Sequence, residues 1–461
     1  MGSGNGSRNQ NKNKNKKKKK KNKSAKPGSE QEAVEYVANW AKFHRPPAAE
    51  EEEEEEEGAY NACVTLPIID LHTHSTFSDG MLTPTELVER SFRKGVKVLA
   101  LTDHDTMAGV EEAIAAADKY GIRVIPGVEI SAKVGQGDGG DSDGESVHIL
   151  AYYGCCGPSD CKSLEESLRK IREGRFSRAR TMVKKLQYLN KPVNWEHVME
   201  LVGDGGAPGR PHVARALLEA GHVQSLQHAY KKYLHDGGPA YASGDEIPAE
   251  EVVHLICHTG GVAALAHPWT LKNPRPLVRR LKAAGLHAME AHKSSGKISE
   301  FTQMAEEFNL LKLGGSDYHG TGAPNEVDLG KVLLPAKVFC EFLKLAQPIW
   351  SAALKSMVHD YANSSISQQS ASMIIEELSS HTAHFCSRKS SLSCGCVSTD
   401  KNSGIHGILK FSQWLRKEDR ELLMAEASNL GLKYSSSIDL SGRATIVLFG
   451  TWQEVKVAHY S

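Results

Sequence analysis

Short apolar segments alternate with amphipathic segments between residues 68 and about 335. The first helix signal combines an N-cap at Thr83, proline at the first helical position and a final glycine at Gly95. The pattern predicts strands at 68–69, 96–101, 122–125, 129–132, 147–153, 261–266, 286–291 and 310–313, and helices at 84–95, 109–120, 163–189 and 211–220. Alternating strands and helices are typical of a parallel sheet, so about seven strands predict an α/β fold, a closed and distorted (β/α)7 barrel.

Interruptions of this pattern divide the chain. Residues 67–345 form the predicted barrel domain, in which 160–250 is a helical insertion and 135–145, rich in glycine and aspartate, is a mobile loop. Residues 346–403 are predicted to be a serine-rich linker with one short helix at 372–379. Residues 404–461 predict a small α+β module, with a helix at 417–429 ended by Gly431 and a strand at 444–449.

A formal net charge of zero hides strong segregation of charge near the start of the chain. Eleven basic residues lie between Arg8 and Lys26, and eight consecutive glutamates follow at 50–57. Such blocks cannot bury enough apolar surface to fold, so residues 1–66 are predicted to be a disordered charged tail. The lysines at 16–21 are a nuclear localisation signal, a nucleic-acid-binding segment or simply a solvated tail.

The composition also bears on compartment. No apolar segment reaches the roughly 18 residues of a membrane span, and the N-terminus lacks the apolar core of a secretory signal. Nine scattered cysteines fit a reducing environment. We therefore expect an intracellular protein, in the cytoplasm or the nucleus, that does not bind a membrane.

Histidines and carboxylates recur where the predicted strands end, which is where barrel enzymes place functional groups. Nine of them are candidate metal ligands: His72, His74, Asp79, His104, Glu129, His148, His267, Asp317 and His319. Nitrogen and oxygen donors without cysteine suit Zn, Mn or Fe. Nine ligands are too many for one ion, so two or three ions with a bridging carboxylate are predicted. Such ions clamp the oxygens of a phosphoryl displacement and turn a bound water into a hydroxide nucleophile, which predicts phosphate ester hydrolysis.

Five motifs carry a resemblance to the polymerase and histidinol phosphatase (PHP) superfamily over residues 68 to about 335. They are Asp-x-His-x-His at 70–74, Thr-Asp-His-Asp at 102–105, Pro-Gly-x-Glu-Ile-Ser at 126–131, His-Pro at 267–268 and Asp-x-His at 317–319. The insertion resembles one branch, the 3′,5′-nucleoside bisphosphate phosphatases that are also 5′-to-3′ exoribonucleases on short RNA. That likeness is carried by an arginine-rich segment at 172–180, Gly-Arg-Pro-His at 209–212 and Gly-Gly-Pro-Ala-Tyr at 237–241.

The resemblance implies how the ligands are divided among three ions. One ion takes His72, His74, Glu129 and Asp317, a second takes Glu129, His148 and His267, and a third takes Asp79, His104 and His319, so Glu129 bridges. Mn is the implied metal, with Zn, Fe or Mg as alternatives. Asp70 and Asp105 are interpreted as carboxylates that orient imidazoles. The candidate substrate-binding residues are Arg175, Ser177, Arg178 and Arg210.

The C-terminal segment 415–447 is similar to a small module that binds single-stranded nucleic acid and is named for an arginine and a histidine with three residues between them. Here Arg420 is followed by Met424 where that module has histidine. The implied partners are a small nucleotide or short RNA. Two other hypotheses are a phosphatase of another phosphomonoester, such as histidinol phosphate, and a non-catalytic nucleic-acid-binding protein.

Overall fold

A computed structural model describes residues 30–41, 67–135, 144–202, 206–244, 246–363, 396–397, 409–412, 417–438 and 444–449. Within these ranges, no helix has the length and apolar character needed to cross a membrane. The strands of the main domain are β1 (Ile68–Asp70), β2 (Val96–Leu101), β3 (Arg123–Lys133), β4 (Ser146–Tyr152), β5 (Val262–Leu265), β6 (Ala288–Glu290), β7 (His292–Lys293), β8 (Gly296–Lys297) and β9 (Leu311–Leu313). The helices up to residue 363 are α1 (Glu30–Ala41), α2 (Pro84–Arg93), α3 (Val110–Tyr120), α4 (Cys161–Tyr188), α5 (Trp195–Val202), α6 (Arg210–Glu219), α7 (Leu226–Ala229), α8 (Ala249–His258), α9 (Pro274–Ala283), α10 (Ser299–Glu307) and α11 (Ala336–Asn363).

Seven strands form one curled sheet in the order β1-β2-β3-β4-β5-β6-β9. The segments that follow its two edge strands pair with each other: the His74 amide donates to the Tyr318 carbonyl over 3.0 Å, and the Asp317 amide donates to the His72 carbonyl over 2.9 Å. These bonds bring the carboxyl ends of the first and last strands together. The predicted distorted α/β architecture is therefore confirmed, as a curled mixed sheet with many helices.

The expectation of a wholly parallel sheet is wrong at β4, which pairs antiparallel with both β3 and β5. A parallel pair needs a crossover connection, usually a helix, whereas antiparallel neighbours can be joined directly. No helix is described between β3 and β4. The strands predicted at 122–125 and 129–132 are a single strand, because β3 continues through Gly127 as far as Lys133.

The two faces of the sheet bury different partners. The outer face packs against helices α2, α3, α8, α9 and α10. The inner face packs against α11, whose Phe339, Phe342 and Leu343 are buried with inward-facing strand residues such as Ile69 and Leu150. Burying several large apolar side chains stabilises by about 1.5 to 3 kcal/mol each, which offsets the cost of Pro348 inside this helix. The helix therefore continues to Asn363, and the boundary predicted at residue 346 is wrong.

Helix α1 corrects the prediction that all of residues 1–66 lie outside the fold. Its buried side chains are Ala33, Val34, Val37 and Ala41, and three of them belong to the inner cluster. Arg123 donates from Nη1 to the Trp40 carbonyl over 2.7 Å, and the Tyr36 hydroxyl donates to Gln347 over 3.0 Å. The charged runs on either side of α1 hid this apolar periodicity. The lysine run and the glutamate run lie outside the described residues.

The insertion between β4 and β5 is helical, as predicted, and has its own apolar cluster. Helix α4 contributes Ala179, Met182 and Leu186 to it, and α6 contributes Val213 and Leu217. Residues 136–143 of the predicted mobile loop lie outside the described residues. The insertion is thus a separately packed layer that α4 joins to the sheet.

The C-terminal module contains β10 (Cys396–Val397), β11 (Leu409–Ser412), α12 (Lys417–Asn429), β12 (Lys433–Ile438) and β13 (Ala444–Phe449), with sheet order β10-β11-β13-β12. Leu423 and Ala427 of α12 are buried against Leu354 and Val358 of α11. The helix at 417–429 and the strand at 444–449 match their predicted bounds. The helix predicted at 372–379 lies outside the described residues.

Candidate metal centre

The sheet brings all nine predicted ligand residues to one end of the fold. His72 and His74 follow β1, His104 follows β2, and Glu129 lies in β3. The remaining ones come from β4, the segment after β5, the segment after β9 and the loop before α2: His148, His267, Asp317, His319 and Asp79. The residues predicted as ligands therefore form one cluster in the structure rather than several separate sites.

Glu129 lies at the centre of this cluster and is fully buried. Its Oε2 is 3.1 Å from Nε2 of His72, 3.2 Å from Nε2 of His74 and 3.4 Å from Nδ1 of His104. Its Oε1 is 3.0 Å from Nδ1 of His148 and 2.9 Å from Nε2 of His267. One carboxylate therefore faces two groups of imidazoles, which is the geometry of a bridging ligand.

A further group of donors surrounds Asp79. Its Oδ1 is 3.2 Å from Nε2 of His319, and its Oδ2 is 3.8 Å from Nε2 of His104. Nδ1 of His74 lies 3.7 Å from Oδ1 of the same carboxylate. Nδ1–H of His319 donates to the Asp317 carbonyl over 2.8 Å, so Nε2 faces Asp79, where it can donate when protonated or bind an ion when deprotonated. This group is distinct from the one around Glu129 but shares His104 and His74 with it.

The donor atoms fit metal ions. Within the described residues, three sets have donor atoms within 4.8 Å of one another: His74, Asp79, His104 and His319; His72, His74, Glu129 and Asp317; and His104, Glu129 and His148. Two donors bound at about 2.1 Å to one ion lie about 3.0 to 3.4 Å apart in octahedral or tetrahedral geometry. Nε2 of His74 and Nδ1 of His104 are buried without a hydrogen-bond partner, as expected for nitrogens that coordinate an ion.

Glu290 is a buried carboxylate of this site that the sequence reasoning missed. Its Oε1 lies 3.1 Å from Nδ1 of His72, and its Oε2 accepts the backbone amide of His267 over 2.6 Å. Nδ1–H of His72 thus donates to Glu290, and Nε2 is left free for an ion. The sequence did offer a signal for it: Glu290 ends β6, and β6 was the one strand of the seven-stranded sheet without an assigned ligand.

Asp70 and Asp105 do not orient imidazoles, which corrects that prediction. Asp70 accepts the backbone amides of Ser316 over 2.8 Å and Gly330 over 2.9 Å. Asp105 accepts the amide and the hydroxyl of Ser131 and pairs with Arg175. Both carboxylates are buried and lie beside ligands in sequence, but they satisfy backbone donors and an arginine instead. Asp70 and Asp105 therefore fix backbone segments, whereas Glu290 orients the imidazole ring of His72.

Three residues of the site have left-handed backbone conformations. The φ angles are 55° at Asp105, 26° at His267 and 54° at Asp317. Such conformations cost a non-glycine residue about 1 to 3 kcal/mol and persist where the surroundings fix them. Here the Asp317 amide donates to the His72 carbonyl and the His267 amide donates to Glu290, and these hydrogen bonds supply that restraint. The rest of the fold thus stabilises unfavourable backbone conformations at His267 and Asp317, two of the candidate ligands.

Charge coupling within the cluster is strong. Burial opposes ionisation of Glu129, but the surrounding histidines, His72 foremost, hold the pKa of this carboxyl well below its usual range. Burial likewise opposes protonation of His72, yet Glu129 and Asp317 raise its pKa well above the usual value. Burial lowers the pKa of His319, but Asp79 outweighs this effect and raises it to about 10. The ring of carboxylates therefore attracts cations, either protons or metal ions.

The four predicted substrate-binding residues lie on the insertion, and three of them are paired with carboxylates. Arg175 contacts Asp105 over 2.5 Å, Arg178 pairs with Glu246, and Arg210 contacts Asp236 over 2.6 Å. Burial lowers the pKa of Arg178, with repulsion from Arg175 and Arg210 adding to this effect and Glu246 opposing it. Nη1 of Arg175 lies beside Gly209, the residue before Arg210, because a Cβ built on Gly209 would be 3.3 Å from it. The fourth residue, Ser177, is exposed on the same helix as Arg175 and Arg178.

The arginine group adjoins one side of the cluster. The positive charge of Arg175 lowers the pKa of His104 and of His148, after the larger effect of burial. A guanidinium has five donors, so one carboxylate leaves several of them for a second anion. The insertion therefore places a group of arginines, two of them buried, beside the metal cluster on its His104 side.

Comparisons with known proteins agree with this site. The PHP domain family matches residues 70–238. A 3′,5′-nucleoside bisphosphate phosphatase of Chromobacterium violaceum is 35% identical over 261 residues, which cover 55% of this chain and 88% of that protein. A 5′-3′ exoribonuclease of Haemophilus influenzae is 36% identical over 258 residues, 54% of this chain and 89% of the relative.

A solved structure shares the fold. It is a protein from Bifidobacterium adolescentis assigned as a metal-dependent phosphoesterase, with a TM-score of 0.53 and 30% identity over 60% of this chain and 95% of that one. The curled sheet, the His and carboxylate cluster at its carboxyl end and the relatives' nearly complete coverage agree with one another. The chain belongs to the PHP domain family of metal-dependent phosphoesterases.

Proposed function

We propose that this protein hydrolyses the 3′-phosphate of nucleoside 3′,5′-bisphosphates and removes nucleotides from 5′-phosphorylated RNA ends. The observation that carries the proposal is the placement of Glu129, which faces five imidazoles with its two oxygens. The relatives named above act on a nucleoside bisphosphate and on RNA, which supports this substrate class. Both reactions cleave the bond between a 3′-oxygen and phosphorus, so one site serves both.

The nine candidate ligands would hold two or three ions, as divided above. His72, His74, Glu129 and Asp317 suit one ion, and Asp79, His104 and His319 suit another. The remaining ion would be held by Glu129, His148 and His267. Nδ1 of His148 lies 3.3 Å from Nε2 of His267, and both nitrogens are next to Oε1 of Glu129. We propose Mn as the working metal, on the family resemblance and on a donor set without cysteine. When bound, the ions supply a nucleophile at neutral pH and neutralise charge on the phosphate.

The protein's own residues orient the ligands and the substrate. Glu290 fixes the ring of His72, and the Asp317 carbonyl fixes the ring of His319. Access is from the side of Asp317, whose side chain is 42% exposed, whereas that of Glu129 is 1% exposed. A phosphate would enter from that side, while Glu129 stays shielded from water at the base of the site.

The arginine group would bind the phosphate that is not cleaved. We propose that Arg175, Arg178 and Arg210 act together on this phosphate, since guanidinium groups match phosphate oxygens in bidentate fashion. Their carboxylate partners would then share or yield these donors. Ser177 would assist from the same helix as an exposed hydroxyl. A monoester with one phosphate would lack this interaction.

The lysine run and the C-terminal module are proposed to add contacts to longer RNA. Met424, at the histidine position of the resembled module, packs into the cluster between α11 and α12. Any such contact of the module would therefore come from other residues than this position. Binding through the lysines would weaken with salt.

A substrate screen tests the proposal. Purified protein with Mn is supplied with a nucleoside 3′,5′-bisphosphate, histidinol phosphate and a 5′-phosphorylated oligoribonucleotide, and the released products are measured. The nucleoside bisphosphate and the oligoribonucleotide should be the preferred substrates. Preference for histidinol phosphate would support the other phosphatase hypothesis, and no turnover of any of them would support a non-catalytic protein.

A further inference from the structure

Lys293 lies at the open side of the metal cluster, on a strand that contributes no candidate ligand. It follows Glu290 by three residues, in the short hairpin of β7 and β8. The preceding residue, His292, touches the segment that leads to Asp317, because a Cβ built on Gly314 would lie 2.7 Å from Cβ of His292. Lys293 therefore stands beside the ligand whose side chain is exposed to solvent.

Trp269 holds the ammonium group of Lys293. Nζ lies 3.9 Å from the centroid of the indole, which is within the range of a cation–π contact. Trp269 itself packs edge-on against Phe301 and lies 6.5 Å, between ring centroids, from the ligand His267. A packed aromatic side chain next to a ligand thus fixes the position of a cation near the mouth of the site.

This cation is placed for an anion from outside the protein. Among the ion pairs of the described residues, none includes Lys293, whereas Arg175, Arg178 and Arg210 each have a carboxylate partner. Burial lowers the pKa of Lys293, and the negative charges of Glu290 and Asp317 oppose this effect. Lys293 therefore interacts electrostatically with both carboxylates but forms no ion pair with either. Lys293 thus contacts an aromatic ring but has no carboxylate partner among the ion pairs of the described residues, which leaves its ammonium able to bind phosphate.

Lys293 and the arginine group adjoin different sides of the cluster. Arg175 contacts Asp105, the residue after His104, and Ser131, whereas Lys293 lies over Trp269, beside His267. A bisphosphate needs one cation group for its uncleaved phosphate. RNA continues beyond the cleaved phosphate, so its next phosphate leaves the site in another direction and needs a second cation.

We propose that Lys293, held by Trp269, binds the phosphate that follows the cleaved one in an RNA substrate. This inference rests on the proposed function and extends it by assigning a subsite for the nucleotide on the 3′ side of the cleaved bond. The subsite distinguishes an oligonucleotide from a bisphosphate, since only the oligonucleotide reaches it.

The test compares Lys293→Ala with the wild type on a 5′-phosphorylated trinucleotide and on a nucleoside 3′,5′-bisphosphate. Loss of one charged contact should lower kcat/KM on the trinucleotide by about five- to tenfold, with less than a twofold change on the bisphosphate. The plot of log kcat/KM against log salt for the trinucleotide should become shallower by about 0.7, the value for one phosphate of a single strand. Lys293→Arg should retain most of the activity.

Two further measurements separate the possible outcomes. Lys344 is an exposed lysine on α11, and Lys344→Ala should change neither kcat/KM on either substrate nor the salt slope. Trinucleotide binding by fluorescence anisotropy, in a Glu129→Gln background that prevents turnover, should weaken when Lys293→Ala is added. Equal losses on both substrates, or an unchanged salt slope, would overturn the assignment. A wild type that turns over neither substrate would instead overturn the proposed function, while the binding comparison would still test Lys293.

Discussion

Nδ1 of His72 lies 3.1 Å from Oε1 of Glu290, and both side chains are buried. The same carboxylate accepts the amide of His267 through its other oxygen. Glu290 thus sets the orientation of one candidate ligand and the backbone of another, although its own carboxylate belongs to none of the three donor sets. Metal affinity should depend on this residue even though it contacts no ion.

Replacing Glu290 with glutamine should weaken metal binding about 10- to 100-fold, the usual effect of losing the partner of a ligating histidine. The amide keeps the shape of the carboxylate, so the fold should persist. Isothermal titration with Mn measures the affinity, and Glu300→Gln, an exposed acid on α10, is the matched control. Unchanged affinity in Glu290→Gln would show that the His72 ring is held by its packing alone.

Metal binding should release protons, because the carboxylates hold histidines protonated in the metal-free protein. The pKa of His319 is raised to about 10, and those of His72, His74 and His267 are also raised. Below pH 10 a proton competes with the ion at His319, so affinity should rise with pH across the range from 6.5 to 8.5. Titrations in two buffers with different ionisation enthalpies measure the released protons. Identical heats in both buffers would contradict this charge assignment.

Arg178→Ala should affect substrates unequally. Loss of one charged partner for phosphate should lower kcat/KM on a nucleoside 3′,5′-bisphosphate by about ten- to a hundredfold, equivalent to about 1.5 to 3 kcal/mol. A chromogenic monoester has no second phosphate and should be affected little. Arg180→Ala is the matched control, since Arg180 is an exposed residue of the same helix that stacks on Trp195.

The pair that Arg178 forms with Glu246 requires an additional variant, because truncation leaves a buried carboxylate without its partner. Arg178→Ala with Glu246→Gln removes both charges. If the double variant recovers stability but not the activity on the bisphosphate, Arg178 binds substrate. Equal losses on both substrates would mean that Arg178 supports the fold.

Helix α1 should contribute to stability, whereas the residues before it should not. Deleting residues 1–29 should leave the melting temperature and the turnover of a mononucleotide unchanged. Deleting residues 1–43 removes the burial of Val34, Val37 and two alanines, worth about 3 to 6 kcal/mol, and should lower the melting temperature. Val37→Asp should act in the same direction, with the exposed Glu35→Ala as its control. Equal melting temperatures for both deletions would show that α1 does not stabilise the domain.

The sequence was most informative where chemistry and periodicity coincide. His72 and His74 are two residues apart at a strand end, and Thr83, Pro84 and Glu86 form the expected capping box of α2. These signals involve residues close in sequence, so they can be recognised without knowledge of the fold. The nine candidate ligands were therefore identified. The parallel strand pattern accounts for most of their meeting in one cluster, but His148 reaches it from near the start of the antiparallel strand β4.

Other features depend on contacts between distant segments. Glu290 and Lys293 are ordinary charged residues in sequence, and their positions matter only because β6 lies beside β9 in the sheet. The antiparallel pairing of β4 is likewise a property of its neighbours, and α1 was hidden by charged runs on both sides. Asp70 and Asp105 misled for the same reason, since proximity in sequence to a ligand does not imply contact with its ring.

The central claim, phosphate ester hydrolysis at the cluster around Glu129, is tested most directly by phosphate release from adenosine 3′,5′-bisphosphate. The wild type should release phosphate with Mn, lose this activity with a chelator and regain it when Mn is restored. Glu129→Gln should release almost none and bind less Mn, while its circular dichroism spectrum stays that of the folded protein, because a bridging ligand serves two ions. Full activity of Glu129→Gln, or full activity of the wild type after chelation, would contradict the claim.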